Sequence, residues 1–163
     1  MCIRDRFNVS APHSFTWFYD WNHGTSRTRD FVKRNLDHWV QNYHIDGFRW
    51  DFTQGLVQQQ GVDGGYNAQR IQWLKEYGNH VWDQDPSVYM ILEHWCDLNE
   101  EMELANYNGA NGVNSPGFML WTNATHGYQE ASMGYSGNDI GWANFQSHSF
   151  QDRHAVALSL IHI

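Results

Sequence analysis

The stretch HIDGFRWDFTQG, residues 44–55, decides how the rest of the sequence is interpreted. Its first half is typical of a strand, which we predict at residues 45–51. Successive side chains of a strand point to opposite faces, so Arg49 and Asp51 share one face while Phe48 and Trp50 share the other. If the aromatic face packs on helices, the charged pair points into an interior. Buried charges are costly unless paired and concentrate where chemistry needs them, so the pattern predicts a functional site.

A helix is predicted directly before this strand, over residues 27–43. Its apolar stripe comprises Val32, Leu36, Trp39 and Tyr43, which recur at helical spacing. Ser26 is the predicted N-cap, and Asp30 suits the positive end of the helix dipole. The connection to the strand is short, as expected for a tight turn from helix to strand.

Helix and strand continue to alternate along the chain. The apolar run at residues 88–92 has no polar interruption, which predicts a parallel strand covered on both faces. The other predicted elements are a helix at residues 66–82, a short helix at 99–105 and a strand at 118–122. Such alternation predicts βα units and a parallel sheet, so the fold class is α/β.

Two carboxylates end consecutive predicted strands: Asp51 ends the first and Glu93 the second. In a barrel of βα units, working residues lie at the carboxyl ends of strands. A retaining glycosidase places two carboxyl groups about 5 Å apart on either side of the scissile bond. We therefore interpret Asp51, held ionised by Arg49, as a nucleophile, and Glu93, after an apolar run, as the acid. The structural alternative is a buried Arg49–Asp51 ion pair with an exposed Glu93.

Two motifs resemble the α-amylase superfamily, glycoside hydrolase family 13. DGFRWD, residues 46–51, is similar to its fourth-strand motif, and ILEHW, residues 91–95, to its fifth-strand motif. The resemblance extends over residues 7–157. It implies a partial TIM (β/α)8 barrel, about strands four to six with their helices, and an α-glucan oligo- or polysaccharide as the partner.

The resemblance also implies roles for individual residues. Asp51 corresponds to the nucleophile, Arg49 to the arginine that contacts it, and Glu93 to the general acid/base. Trp95 and His94 are candidate substrate-binding residues, by stacking on a sugar ring and by hydrogen bonding. No metal ligand is predicted here; calcium is common in the family, but its usual ligand segments lie outside this sequence.

The sequence departs from the family pattern in three places. Gln54-Gly55 stands where many members have Lys-His, which leaves substrate preference on that side open. The third acid of the family has no match before Ala157, because NDIGW at residues 138–142 lacks the preceding histidine. DWNHG at residues 20–24 superficially resembles the third-strand motif but precedes the predicted helix. A central fragment of a barrel would account for the two missing motifs.

Composition narrows the choice of partners. The formal net charge of −8 disfavours a nucleic-acid backbone, which needs basic patches. No apolar run is long enough to span a bilayer. The 9 Trp, 8 Tyr and 9 Phe suit sugar-binding clefts and are also ordinary core material.

The two ends of the sequence resemble translated sequencing adapter. MCIRDR and LSLIHI can be encoded by strings that are reverse complements over most of their length, so residues 1–6 and 158–163 are excluded from fold reasoning. The domain is then residues 7–157, with Cys96 as its lone cysteine and no intramolecular disulfide. The native N-terminus is expected to be missing, so secreted, periplasmic and cytoplasmic locations stay open.

Three functions remain after these observations. The first is a retaining α-glucan glycosidase or transglycosidase, whose fragment alone is expected to be insoluble or partly folded, and inactive, because barrel edges invite aggregation. The second is a catalytically inactive barrel that binds carbohydrate or a protein. The third, which requires native ends, is a complete small α/β binding domain.

Overall fold

A computed structural model gives the structure of the chain at residues 5–11, 20–58, 64–110, 117–121, 129 and 132–134. The helices and strands alternate as predicted. In chain order they are α1 (Ser26–Tyr43), β1 (Gly47–Trp50), a 3-10 turn (Thr53–Gly55), α2 (Ala68–Trp82), β2 (Tyr89–Leu92), α3 (Leu98–Ala105) and β3 (Phe118–Leu120).

The three strands form a parallel sheet in the order β1-β2-β3. Arg49 lies opposite Ile91, which lies opposite Met119, and the residues on either side pair in the same register. Consecutive parallel neighbours joined by helices are the arrangement of βα units. The predicted α/β class and parallel sheet are confirmed, and the sheet fits part of a barrel.

One face of the sheet carries the hydrophobic core. The alternate residues Phe48 and Trp50 of β1 pack against it, and Trp50 stacks on Tyr77 of α2 with ring centroids 5.4 Å apart. The fully buried residues on this face come from β2, β3, α2 and α3, namely Met90, Leu92, Phe118, Leu120, Leu74, Val81 and Leu104. The prediction that aromatic side chains of β1 pack on helices is confirmed.

The opposite face of the sheet is less covered than predicted. Tyr89 is exposed and Ile91 is half-buried, although the apolar run of β2 predicts burial on both faces. The physical reason is that the helices of the described residues lie on one side of the sheet only. Arg49 and Asp51 therefore point to an open face and not into a closed interior.

Helix α1 ends at Tyr43 as predicted but differs from its prediction in its N-cap and in the burial of its C-terminal half. The N-cap is Thr25 and not Ser26, because the Thr25 side chain accepts the N–H of Thr28. Asp30 lies beyond the first turn. Trp39 and Tyr43 are exposed and contact each other in a tilted arrangement, with ring centroids 4.9 Å apart, instead of joining the buried stripe. The buried residues of the helix are Thr28, Leu36 and Val40.

Helix α2 follows its prediction closely. Asn67 caps its N-terminus, and the predicted face of Ile71, Leu74, Gly78 and Val81 is buried. A Cβ on Gly78 would lie 2.8 Å from Phe118, so only glycine allows this close approach of α2 to β3. None of the helices in the described part of the chain is long and apolar enough to cross a membrane.

Before α1, the chain forms a short isolated bridge. Phe7 pairs with Trp21 in antiparallel fashion, and the Asn22 N–H donates to the Arg6 carbonyl at 2.6 Å. Asp5 forms an ion pair with Arg27 of α1 at 2.5 Å. This segment therefore packs beside the N-terminus of α1.

Candidate active site

The carboxyl ends of β1 and β2 bring the two predicted carboxylates to one edge of the sheet. Asp51 directly follows β1, and Glu93 directly follows β2. The Glu93 N–H donates to the Trp50 carbonyl at 3.0 Å, and the Thr53 N–H donates to the Glu93 carbonyl at 2.9 Å. The parallel ladder thus continues past the strand ends and holds the two backbones side by side.

Arg49 joins the two carboxylates. One terminal nitrogen of its guanidinium donates to Asp51, and the other donates to Glu93. The planar fork of a guanidinium suits such paired recognition. Three residues predicted as catalytic therefore form one cluster, and the arginine serves both acids and not Asp51 alone.

The two carboxylates differ in exposure. The side chain of Asp51 is 78% exposed and that of Glu93 is 12% exposed, while Arg49 is 39% exposed. The Arg49–Asp51 ion pair of the structural alternative is present, but Asp51 is the exposed carboxylate and Glu93 the more enclosed one, the reverse of the burial that the alternative expects.

Trp121 is a member of this cluster that was missed by sequence reasoning. The Arg49 guanidinium lies over its ring at 4.9 Å from the centroid. It follows β3 as Glu93 follows β2, since the Trp121 N–H donates to the Leu92 carbonyl at 2.7 Å. The strand-end rule that selected Asp51 and Glu93 did not find Trp121, because the third strand was predicted at residues 118–122 and ends at Leu120.

Trp95 lies beside Trp121 on the same edge. Its indole N–H donates to the Trp121 carbonyl at 3.0 Å, and its ring is exposed. The backbone of Trp95 is left-handed, with φ 45°, a conformation that non-glycine residues adopt at a small cost. Two exposed indoles thus flank the pair of carboxylates.

The sequence is similar to enzymes that act on α-glucans. It is 28% identical over 130 residues to a 1,4-alpha-glucan branching enzyme of Bacillus caldolyticus, covering 77% of this chain, and 26% identical over 125 residues to that of Geobacillus stearothermophilus. It is 27% identical over 88 residues to alpha-amylase 3 of Dictyoglomus thermophilum, covering 54% of this chain. The sequence is therefore similar to α-amylase superfamily enzymes over most of its length.

The resemblance carried by the two strand motifs is thereby confirmed. No family model matches the sequence. The chain spans 19% of the length of each of the two branching enzymes and 15% of the length of the α-amylase. Similarity to the superfamily therefore covers most of this chain and a minor part of each relative.

His94 lies away from the open edge, unlike the other candidates drawn from the superfamily resemblance. It is 1% exposed. Its Nδ1 lies 2.9 Å from the Thr53 hydroxyl, and its Nε2 lies 2.9 Å from Glu100. Both ring nitrogens lie within hydrogen-bonding distance of protein groups. Neither is therefore left for the hydrogen bond to substrate that was predicted for His94.

A second arginine–carboxylate cluster lies beneath this edge. Arg70 of α2 and Glu100 of α3 are both 0% exposed and form a forked pair, with Nε–Oε1 at 2.6 Å and a terminal nitrogen to Oε2 at 2.8 Å. Burial raises the pKa of Glu100, but hydrogen bonds from Arg70 and His94 outweigh it and lower the pKa to about 2. Burial also lowers the pKa of His94, which keeps its ring neutral.

Sequence reasoning missed this second cluster. Arg70 lies four residues before Leu74, on the apolar face of α2, and a charged residue at such a position indicates a buried partner. Glu100 belongs to the first turn of α3, where a carboxylate is ordinary. Nothing local therefore distinguishes Glu100 from a surface acid.

Within the described residues, the possible metal ligands that lie close together are His94, Cys96 and Glu100, whose donor atoms are within 4.8 Å of one another. The chemistry of this set does not suit a cation. Burial raises the pKa of the Cys96 thiol to about 12, which disfavours the thiolate that binds metals. Glu100 is already paired with Arg70, whose positive charge would repel a metal ion.

The segment NDIGW at residues 138–142 lies outside the described residues. The superfamily's third acid was sought in this region of the sequence and had no match there. The site described here therefore consists of Arg49, Asp51, Glu93, Trp95 and Trp121.

Proposed function

We propose that the protein containing this chain is a retaining α-glucan glycosidase or transglycosidase that acts by double displacement on starch- or glycogen-type substrates. The observation that carries the proposal is the single guanidinium of Arg49 that contacts both Asp51 and Glu93. A shared guanidinium supports the pairing of two carboxyl groups that a retaining glycosidase uses on either side of one glycosidic bond. The names of the relatives, branching enzymes and an α-amylase, support the same class.

Asp51 is the proposed nucleophile. Its carboxylate oxygen attacks the anomeric carbon of a bound glucosyl unit and forms a glycosyl ester, while the bond to the leaving oxygen breaks and its electron pair stays on that oxygen. The exposure of Asp51 supports this role, because the nucleophile must reach the substrate. Arg49, whose guanidinium donates to Asp51, would orient the carboxylate.

Glu93 is the proposed acid and base. Its carboxyl proton passes to the leaving oxygen in the first step, and its carboxylate then takes a proton from the incoming hydroxyl in the second. The position of Glu93 supports this role, since it directly follows β2 and contacts the same guanidinium as Asp51. Water as the incoming group gives hydrolysis, and a sugar hydroxyl gives transfer.

Trp95 and Trp121 are proposed as stacking surfaces for sugar rings. Both indoles are exposed beside the carboxylates, and flat aromatic faces suit the apolar faces of pyranose rings. The parallel sheet corresponds in this proposal to about strands four to six of a TIM (β/α)8 barrel, whose strand ends carry the catalytic groups.

The decisive experiment is to trap the covalent intermediate on the full-length protein. A fluorinated maltosyl fluoride is incubated with the enzyme, and the labelled peptide is identified by mass spectrometry after digestion. We expect the label on Asp51 and none in the Asp51→Asn variant. A label on Glu93 would reverse the two roles.

Binding of an α-glucan with neither trapping nor turnover would instead support the alternative function, an inactive carbohydrate-binding barrel. A matched variant, Asp83→Asn, removes an exposed carboxylate at the other end of α2 and should label as the parent does. Loss of labelling in that control would mean that trapping reports general damage.

We also propose that residues 1–6 and 158–163 are translated adapter, which leaves residues 7–157 as the domain segment. The basis is the reverse-complementary coding of the two hexapeptides. Sequencing the source DNA outward from the codons of Phe7 and Ala157 tests it. Recovery of both hexapeptides from unprocessed DNA would overturn it.

A further inference from the structure

We propose that the buried cluster of Arg70, Glu100, His94 and Thr53 is a positioning network that sets the place of Glu93 relative to Asp51. The inference rests on the proposed function, because it assigns these residues a purpose in the same site. None of the four touches either reacting carboxyl group. They act through the backbone that carries those groups.

The network begins at Arg70 and ends at the backbone of Glu93. Arg70 donates to both oxygens of Glu100, and Glu100 lies 2.9 Å from His94 Nε2. A carboxylate only accepts, so Nε2 carries a proton, and Nδ1 lies 2.9 Å from the Thr53 hydroxyl. Thr53 then holds the Glu93 carbonyl through its N–H at 2.9 Å, with its hydroxyl at 3.0 Å from the same oxygen.

Arg70 also donates hydrogen bonds to the loop that follows β1. One of its terminal nitrogens donates to the Gln54 carbonyl at 2.7 Å, and the other donates to the Gly65 carbonyl at 2.8 Å. Glu100 accepts the N–H of Asn67 at 2.7 Å. One network thus ties the loop after β1, which begins at Asp51, to the loop after β2, which begins at Glu93.

Burial makes this link rigid. Arg70 and Glu100 are wholly buried, as is Thr53, so water cannot replace a lost partner. Catalysis between two carboxyl groups depends on their separation, and a misplacement of about 1 Å can cost on the order of 100-fold in rate. A link that ends on the Glu93 backbone therefore has a direct effect on proton delivery to the leaving group.

Thr53→Val in the full-length protein is the sharpest test, because it removes the hydroxyl and keeps both the size of the side chain and the Thr53 N–H. The test compares kcat/KM, which reports the first chemical step, on an α-glucan and on an α-maltosyl fluoride. Fluoride leaves with little help from an acid, whereas a sugar oxygen needs the proton of Glu93. A misplaced Glu93 should therefore harm only the glucan reaction.

We expect Thr53→Val to lower kcat/KM on the glucan by about 10–100-fold and on the fluoride by less than about threefold. Most of the loss should appear in kcat and little in KM. Thr53→Ser restores the hydroxyl and should restore the glucan reaction. Lys75→Gln is the matched control, because the Lys75–Glu103 pair joins the same two helices, and Lys75 contacts Glu103 and the Tyr107 ring and neither loop.

Each other outcome has a definite meaning. Equal loss on the two substrates would show that Thr53 only supports folding, and an unchanged glucan reaction would show that the network does not position Glu93. Either result overturns the inference while leaving the proposed function intact. A parent enzyme that turns over neither substrate overturns the proposed function, and the inference fails with it.

Discussion

Two arginines lie near the same edge of the sheet, each joined to carboxylates, in opposite surroundings. Arg49 is 39% exposed and contacts Asp51 and Glu93, whereas Arg70 is wholly buried with Glu100. An exposed ion pair contributes about 0–1 kcal/mol to stability. Breaking a buried pair by removing one partner costs about 3–5 kcal/mol, because the other charge is left buried and unpaired.

The comparison teaches that the same pair of residue types serves two purposes according to its access to solvent. The Arg49 cluster can receive a ligand, since Arg49 and Asp51 are accessible to solvent. The Arg70 cluster cannot, since Arg70 and Glu100 are wholly buried and hydrogen-bonded within the protein. The first is suited to chemistry and the second to holding loops in place.

Asp51→Asn should give the largest effect, and it tests whether the exposed Arg49 cluster serves activity and not stability. It should lower kcat on α-glucans at least about 10⁴-fold, because an amide cannot form the glycosyl ester. Stability should change by less than about 0.5 kcal/mol, since the side chain is exposed. Steady-state kinetics and urea unfolding of the full-length protein measure the two effects.

If the Asp51→Asn variant kept a kcat within about tenfold of the parent value, Asp51 would not be the nucleophile. A large loss of stability without loss of specific activity would show that the exposed cluster is structural after all.

Arg70→Met and Arg49→Met compare the two arginines directly. The first should destabilise the full-length protein by about 3–5 kcal/mol, because Glu100 keeps its charge without its partner. The second should cost less than about 1 kcal/mol. Urea unfolding with the same probe gives both free energies. The comparison breaks if the two losses are equal or reversed.

The buried carboxyl group of Glu101 should make the stability of the folded protein depend on pH. Burial raises its pKa to about 7 from an ordinary value of 4.5, although it accepts the Cys96 N–H. Between these values the folded state binds more protons than the unfolded state, so this group lowers stability as pH rises from 4.5 to 7. Glu101→Gln should remove that decline and stabilise the protein by about 1–3 kcal/mol at pH 8, with no change at pH 4.

The check is urea unfolding of both proteins at several pH values. A variant that gains equally at pH 4 and pH 8 would show that a neutral packing effect, and not ionisation, is responsible.

Trp121→Leu should give the smallest effect. Its ring lies under the Arg49 guanidinium, and such contacts at exposed sites contribute about 0.5–1 kcal/mol. We expect a loss of stability within that range, with Trp121→Phe retaining part of the contact. Urea unfolding measures it. A loss above about 3 kcal/mol would place Trp121 with the buried cluster and weaken the contrast between the two regions.

The sequence by itself determined the order of elements, the parallel sheet and the neighbouring strand ends at Asp51 and Glu93. These follow from local periodicity, from alternation along a strand and from the rule that βα units place consecutive strands side by side. Element bounds agree to within two residues at most ends, as for α2, predicted at 66–82 and found at Ala68–Trp82.

Only the tertiary structure decided which charges meet and which are buried. Arg49 reaches Glu93 across 44 positions of sequence, and Arg70 reaches Glu100 across 30. In the tertiary structure Trp39 and Tyr43 are also exposed, and His94 is buried away from the open edge. The physical reason is that periodicity reports which face of an element a residue occupies, whereas burial and pairing depend on what the rest of the chain places against that face.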